Sequence, residues 1–166
     1  MIFGKVERFG IECQLQERIG SFQICNFRFW LGGFQLGNWN EESVLGVIVH
    51  SMQIFLRCRG NRHEEIADRL RAEELFEQLY ESAYDEDPEK WGVAVERQYR
   101  QRLHLEELGA DSTGRDYCIL MVEKANREQR VIWKKRNSCE LHELTLPPLT
   151  VDHVVDEFIE WAEKRA

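Results

Sequence analysis

An alternation of apolar and polar side chains near the N-terminus constrains this chain more than any other feature. Ile11, Cys13 and Leu15 alternate with Glu12, Gln14 and Gln16, the period of two that a strand needs when one face is buried and the other wet. After a turn at Gly20-Ser21, the run Phe22 to Leu31 is rich in aromatics, and Gly32-Gly33 supplies a two-residue hairpin turn before Phe34 to Leu36. The pattern predicts three strands folded back on one another. Eight of the eighteen aromatic residues fall within the first 40 positions, so much of the core mass belongs to this meander.

The period then becomes helical. Asn40 is expected to cap a helix, with Glu41 and Glu42 at the positive end of its dipole and Leu45, Ile48, Val49, Met52, Phe55 and Leu56 on its apolar face. Gly60-Asn61 supplies the stop. A second stripe, Ala72, Leu75, Phe76, Leu79, Tyr80 and Ala83, recurs at spacings of three and four. Residues 90–103 predict a less regular helix facing inward with Trp91, Val95, Tyr99 and Leu103. Residues 109–114 have loop composition, and 116–123 with 131–134 read as a hairpin around Asn126-Arg127-Glu128. A further strand is expected at 141–146, stopped by Pro147-Pro148. Thr150 then caps a final helix that buries Val154, Val155, Phe158, Trp161 and Ala162. This order predicts an α+β fold, an antiparallel sheet of about five to six strands packed against about three to four helices, in a single domain over residues 1–166.

Thirty acidic side chains against 22 basic ones give a net charge of -8, which opposes nonspecific attraction to nucleic acid or an anionic membrane and draws in a basic partner. The N-terminal segment carries Lys5, Glu7 and Arg8 without an apolar run of signal-peptide length. The stretch Val44 to Leu56 is interrupted by His50, Ser51 and Gln53 and falls short of the about 20 residues that span a bilayer. A cytoplasmic protein without a membrane segment is expected. The five cysteines form no Cys-x-x-Cys pair and read as reduced thiols, with Cys13, Cys25 and Cys118 as small core residues.

No nucleotide-binding glycine motif, nucleophile elbow or zinc-protease helix is present, which points away from catalysis and from a cofactor. The alternative is a small enzyme or ligand-binding protein whose site is assembled from distant positions. Cys58 with His63 and Cys139 with His142 are the best metal candidates, but they read more simply as a helix end, a polar loop and a strand edge. His50 is expected as a hydrogen-bonded histidine at the core edge.

The strongest charge feature is Glu73 to Glu89, which holds eight acids and no basic residue. Like charges four apart, such as Glu73 with Glu77, oppose a helix by a few tenths of a kcal/mol per pair. Two readings stand: a solvated face held down by its apolar stripe, or a docking surface for a basic protein in which Glu74, Glu77, Glu81, Asp85, Glu86 and Asp87 meet the partner. The opposite bias, Lys124 to Arg136, has only Trp133 nearby as a stacking aromatic. It is expected to protect a sheet edge and not to bind nucleic acid directly.

Met-Ile-Phe-Gly at 1–4, Phe-Gly-Ile-Glu at 9–12, Phe-Trp-Leu-Gly-Gly-Phe-Gln-Leu-Gly-Asn-Trp at 29–39, Arg-Gly-Asn-Arg at 59–62 and Ala-Glu-Glu-Leu-Phe at 72–76 together resemble the immunity-protein family 42 of bacterial polymorphic toxin systems. The likeness is densest over residues 1–85. It implies a cytoplasmic antidote that binds and blocks a cognate toxin domain, a basic nuclease being one such partner, and it carries over no catalytic residue. Trp39 and Arg62 lie in segments associated with the family and are candidate partner-binding residues. Each also has a structural reading, Trp39 packing near the start of the first helix and Arg62 capping backbone carbonyls.

Overall fold

The computed structural model describes residues 1–80 and 102–165. Its described strands form two antiparallel sheets. In the first, β1 (Ile2–Gly4), β2 (Phe9–Ile19), β3 (Phe22–Leu31) and β4 (Phe34–Leu36) follow in chain order, and β5 (Glu42–Val44) also pairs with β3. The second contains β6 (Tyr117–Glu123), β7 (Gln129–Lys135) and β8 (Leu141–Leu146). The α+β expectation holds, with the strands divided between two sheets. The physical reason lies in the edges. One side of β3 is taken by β4 and β5, β1 pairs with Gly10 to Glu12 of β2, and beyond them β2 runs into the bulge between Leu15 and Arg18, which disrupts further pairing.

The predicted meander is present in register. Phe9, Ile11, Cys13 and Leu15 face Leu31, Phe29, Phe27 and Cys25 across the β2–β3 ladder, and the odd-numbered set is the dry face. Phe27 and Phe29 meet edge to face with centroids 5.0 Å apart. Burying each such ring contributes about 1.5 to 3 kcal/mol. One extra residue in β2 between Leu15 and Arg18 forms a bulge, beyond which the hairpin tip carries exposed Ile19 and Phe22.

Helix α1 (Leu45–Arg57) buries Leu45, Ile48, Val49, Met52 and Phe55 as its periodicity requires, but it begins later than expected. Asn40 does not cap it, and Glu42 lies in β5 opposite Asn26. His50 is exposed, away from the core edge. Helix α2 (Ala72–Leu79) buries Leu75, Phe76 and Leu79. The loop expected at 109–114 contains instead a short helix α3 (Asp111–Asp116), whose Ser112 amide donates to the Glu41 carboxylate at 2.8 Å. Helix α4 (Thr150–Glu163) buries Val151, Asp152, Val154, Val155, Phe158, Ile159 and Ala162. Thr150 is its first residue and not its cap: the Thr150 hydroxyl donates to the Pro147 carbonyl, and Leu149 enters the helix at φ 59.

The larger core lies among the dry face of the first sheet, α1, α4 and one face of the second sheet. A smaller core on the other face of the second sheet joins Leu120, Val122 and Ile132 to α2 through Leu75, Phe76 and Leu79. Both faces of β6 are therefore covered, which is why it reads Cys-Ile-Leu-Met-Val without alternation. Cys13, Cys25 and Cys118 are buried as expected, and Cys139 is exposed. Among the described residues no helix is long and apolar enough to cross a membrane. Residues 90–101 of the helix expected at 90–103, and the position of Ala83, lie outside the described residues; Leu103 is buried.

Candidate functional site

Two groups of buried polar side chains bear first on function, because a catalytic constellation would be built from such groups. Arg62 is 0% exposed. Its Nη1 lies 2.7 Å from Asp152 Oδ1, its Nη2 donates to the Phe55 carbonyl, and its guanidinium carbon sits 3.6 Å from the Phe55 ring centroid. Gln129 Nε2 donates to Asp152 Oδ2 at 2.7 Å, and Gln129 Oε1 accepts the Val151 amide at 2.8 Å. Burial alone would raise the Asp152 pKa, but the charge and hydrogen bond of Arg62 outweigh it and hold the carboxyl below its ordinary value. Glu123, 3.8 Å from Arg62, is shifted upward because burial wins there. This cluster ties the end of α1 to β7 and the start of α4. It places Arg62 out of reach of a partner, and of its two readings the carbonyl-capping one describes its position.

The second group centres on Glu106, in the 3-10 turn Leu105–Leu108. Its Oε1 accepts the Tyr80 hydroxyl at 2.5 Å and its Oε2 accepts the Ile119 amide at 3.0 Å. Burial pushes its pKa up to about 8. His104 stacks on Tyr80 with centroids 4.5 Å apart. An acid, a phenol and an imidazole meet here, and all three are buried. Two open cavities among the described residues have a different lining. The one lined by Gly4, Lys5, Arg8 and His153 has no carboxylate, and the one lined by Glu42, Val47 and Asp111 has no histidine. Among the described residues no three His, Cys, Asp or Glu side chains are grouped to hold a metal ion, so Cys58, His63, Cys139 and His142 are not assembled into a site.

On α2, Glu73 and Glu77 are exposed and Glu74 is half-exposed. Glu74 accepts the Arg71 amide at 3.2 Å and the Arg71 guanidinium at 3.1 Å, which lowers its pKa. These contacts, the helix dipole and the apolar stripe offset the repulsion among the acids. Glu81, Asp85, Glu86 and Asp87 lie outside the described residues.

The basic run does not protect an edge, because β7 is the middle strand of its sheet. Arg130 is buried, donates to the Ala67 and Leu70 carbonyls and pairs with Glu143, while Lys124 pairs with Glu128. Two of the six cations of this run are thus paired with carboxylates inside the chain.

Trp39 does not pack at the start of α1. It belongs to the wet face of the first sheet, where the Arg28 guanidinium lies 4.5 Å from the Trp39 ring and 5.0 Å from the Trp30 ring. Arg28 also pairs with Glu12 at 2.8 Å, and the Trp30 indole N–H donates to the same carboxylate at 2.9 Å. Burial would raise the Glu12 pKa, but these two bonds lower it on balance. The loop carrying Trp39 is pinned: its carbonyl accepts from Asn26 at 2.8 Å, and the Asn38 amide donates to Ser112 Oγ at 3.0 Å. Gly37, at φ 114 and with Thr113 Oγ1 2.8 Å from where a Cβ would stand, lets the chain pass. Sequence reasoning found Trp39 but missed Glu12, Arg28 and Trp30. Their signal was present in the polar half of the alternation, where a tryptophan at an even position in β3 is out of place.

A family model described as immunity protein 42 matches residues 1–161. No curated protein matches the chain. Among solved structures, the crystal structure of CdiI from Burkholderia dolosa AUO158 is similar in fold, with a TM-score of 0.70 at 20% identity over 97% of this chain and 99% of that one.

Proposed function

The chain belongs to the immunity protein 42 family, and from that premise we propose that this antidote neutralises its toxin by binding a cationic toxin domain in the bacterial cytoplasm and catalyses nothing itself. The observation that carries the charge of the partner is the net charge of -8, with Glu73 and Glu77 exposed on α2. A surface of that sign speeds the encounter with a basic protein and disfavours polyanions. Glu74, Glu77, Glu81, Asp85, Glu86 and Asp87 form the acidic docking face in this reading, and a nuclease, whose substrate cleft must be cationic, is the toxin class it suits. The buried state of Glu106, Tyr80 and His104 supports a binding role over an enzymatic one.

The test is co-expression with toxin domains encoded beside the gene for this chain. Rescue of growth together with recovery of a one-to-one complex is the expected result. Growth arrest in every pairing, with no complex recovered, would overturn it.

A further inference from the structure

We infer that the wet face of the first sheet, centred on the stack Trp30–Arg28–Trp39, is the anchor for the toxin domain and receives a cation-bearing segment of it. This deepens the immunity reading and rests on it. Ladder register places Ile2, Glu12 and Arg28 in one row, Gly10, Trp30 and Gln35 in the next, and Gln14, Asn26 and Glu42 in a third. In these rows Ile2 is 47% exposed, Gln14, Gln35 and Glu42 are exposed, and Trp30 is half-buried, as is Trp39 beside them. Gly10 contributes no side chain to the flank of Trp30.

Three properties make this an anchor and not merely a solvated face. Tryptophan and arginine are the side chains over-represented where binding energy concentrates. They are already held in place, Arg28 by Glu12 and Gln35 and Trp39 by the pinned loop, so little side-chain freedom is lost on docking. The charge then selects the partner. Arg28 and, more weakly, the N-terminal ammonium act on Glu12, which leaves the exposed Glu42 and the part-exposed Trp30 and Trp39 side chains to receive positive charge. The acids of α2 sit elsewhere, on the second sheet. They act at long range on the rate of encounter, whereas the stack acts at contact on the lifetime of the complex.

The experiment measures dissociation from the immobilised toxin domain recovered in the rescue assay. Trp39→Ala is expected to speed dissociation at least about 30-fold. Gln14→Arg, a change at an exposed position, is expected to weaken binding at least about tenfold by placing positive charge on the face. Glu160→Gln makes the same change in net charge on α4, on the opposite side of the sheet, and is expected to alter binding less than about twofold. If wild type binds while Trp39→Ala and Gln14→Arg both stay within twofold of it, the anchor lies elsewhere and the immunity reading survives. If wild type binds no toxin domain, both fall.

Discussion

Replacing Asp152 by Asn isolates the strongest electrostatic commitment of the fold. The substitution keeps the shape of the side chain but removes the negative charge that faces Arg62 at 2.7 Å, with both side chains 0% exposed. It also turns an amide N–H toward either Arg62 or Gln129 Nε2, both of which are donors. Breaking a buried pair from one side costs about 3 to 5 kcal/mol, because the remaining charge is left desolvated. Glu123 at 3.8 Å from Arg62 compensates in part, which places the expectation near the lower bound, about 3 kcal/mol. For a chain of this length that corresponds to a fall in Tm of about 6 to 12 °C.

The pH dependence sharpens this prediction. The Asp152 pKa is depressed in the folded protein, since Arg62 and the hydrogen bonds outweigh burial. Its contribution is therefore present above the ordinary aspartate value of 3.8 and is lost as pH falls through the lower folded value. Urea unfolding of wild type and Asp152→Asn should differ by a constant amount near neutrality and converge in acid. A loss under about 1 kcal/mol at pH 7 would refute the assignment of this pair as the tie between α1 and α4.

The remaining predictions use other parts of the molecule. Glu106 has a folded pKa of about 8 against an ordinary 4.5, so stability is full below 4.5 and declines as pH rises through 8; Glu106→Gln should flatten that slope in unfolding curves, and an unchanged slope would place the titration elsewhere. Reversing Glu74, Glu77 and Glu81 to Lys should slow association with the toxin domain about tenfold at low ionic strength and far less in high salt, read by stopped-flow mixing; equal association rates would remove α2 from steering. A thiol reagent should label exposed Cys139 at once and reach buried Cys13, Cys25 and Cys118 only on unfolding; rapid labelling of all five would contradict the core.

What was legible in the sequence was whatever short-range geometry governs. Ile11, Cys13 and Leu15 announce a half-buried strand because side chains alternate every residue, and Gly32-Gly33 marks a hairpin because both residues adopt positive φ. The apolar stripes of α1, α2 and α4 follow from 3.6 residues per turn. Misreadings fell where a distant partner decided. Glu42 became strand because the Ile24–Asn26 edge of β3 was free to bond it. Residues 111–116 became helix although they contain Gly114, because Glu41 supplies a cap from 71 positions away.

The candidate site divides along the same line. The acidic run and the net charge need no fold to be counted, and they point to a basic partner. Whether a polar side chain is surface or scaffold is a different matter. Arg62 and Trp39 look equally available in the sequence, yet Asp152, 90 residues on, draws Arg62 wholly inside, while Arg28 and Asn26 hold Trp39 at the surface. By itself the sequence determined the class of fold, the faces of its helices and its own net charge of -8, all of which depend on local period and composition. Only the tertiary structure decided which charges are spent on one another and which aromatics meet solvent, because desolvation and pairing depend on neighbours brought together from across the chain.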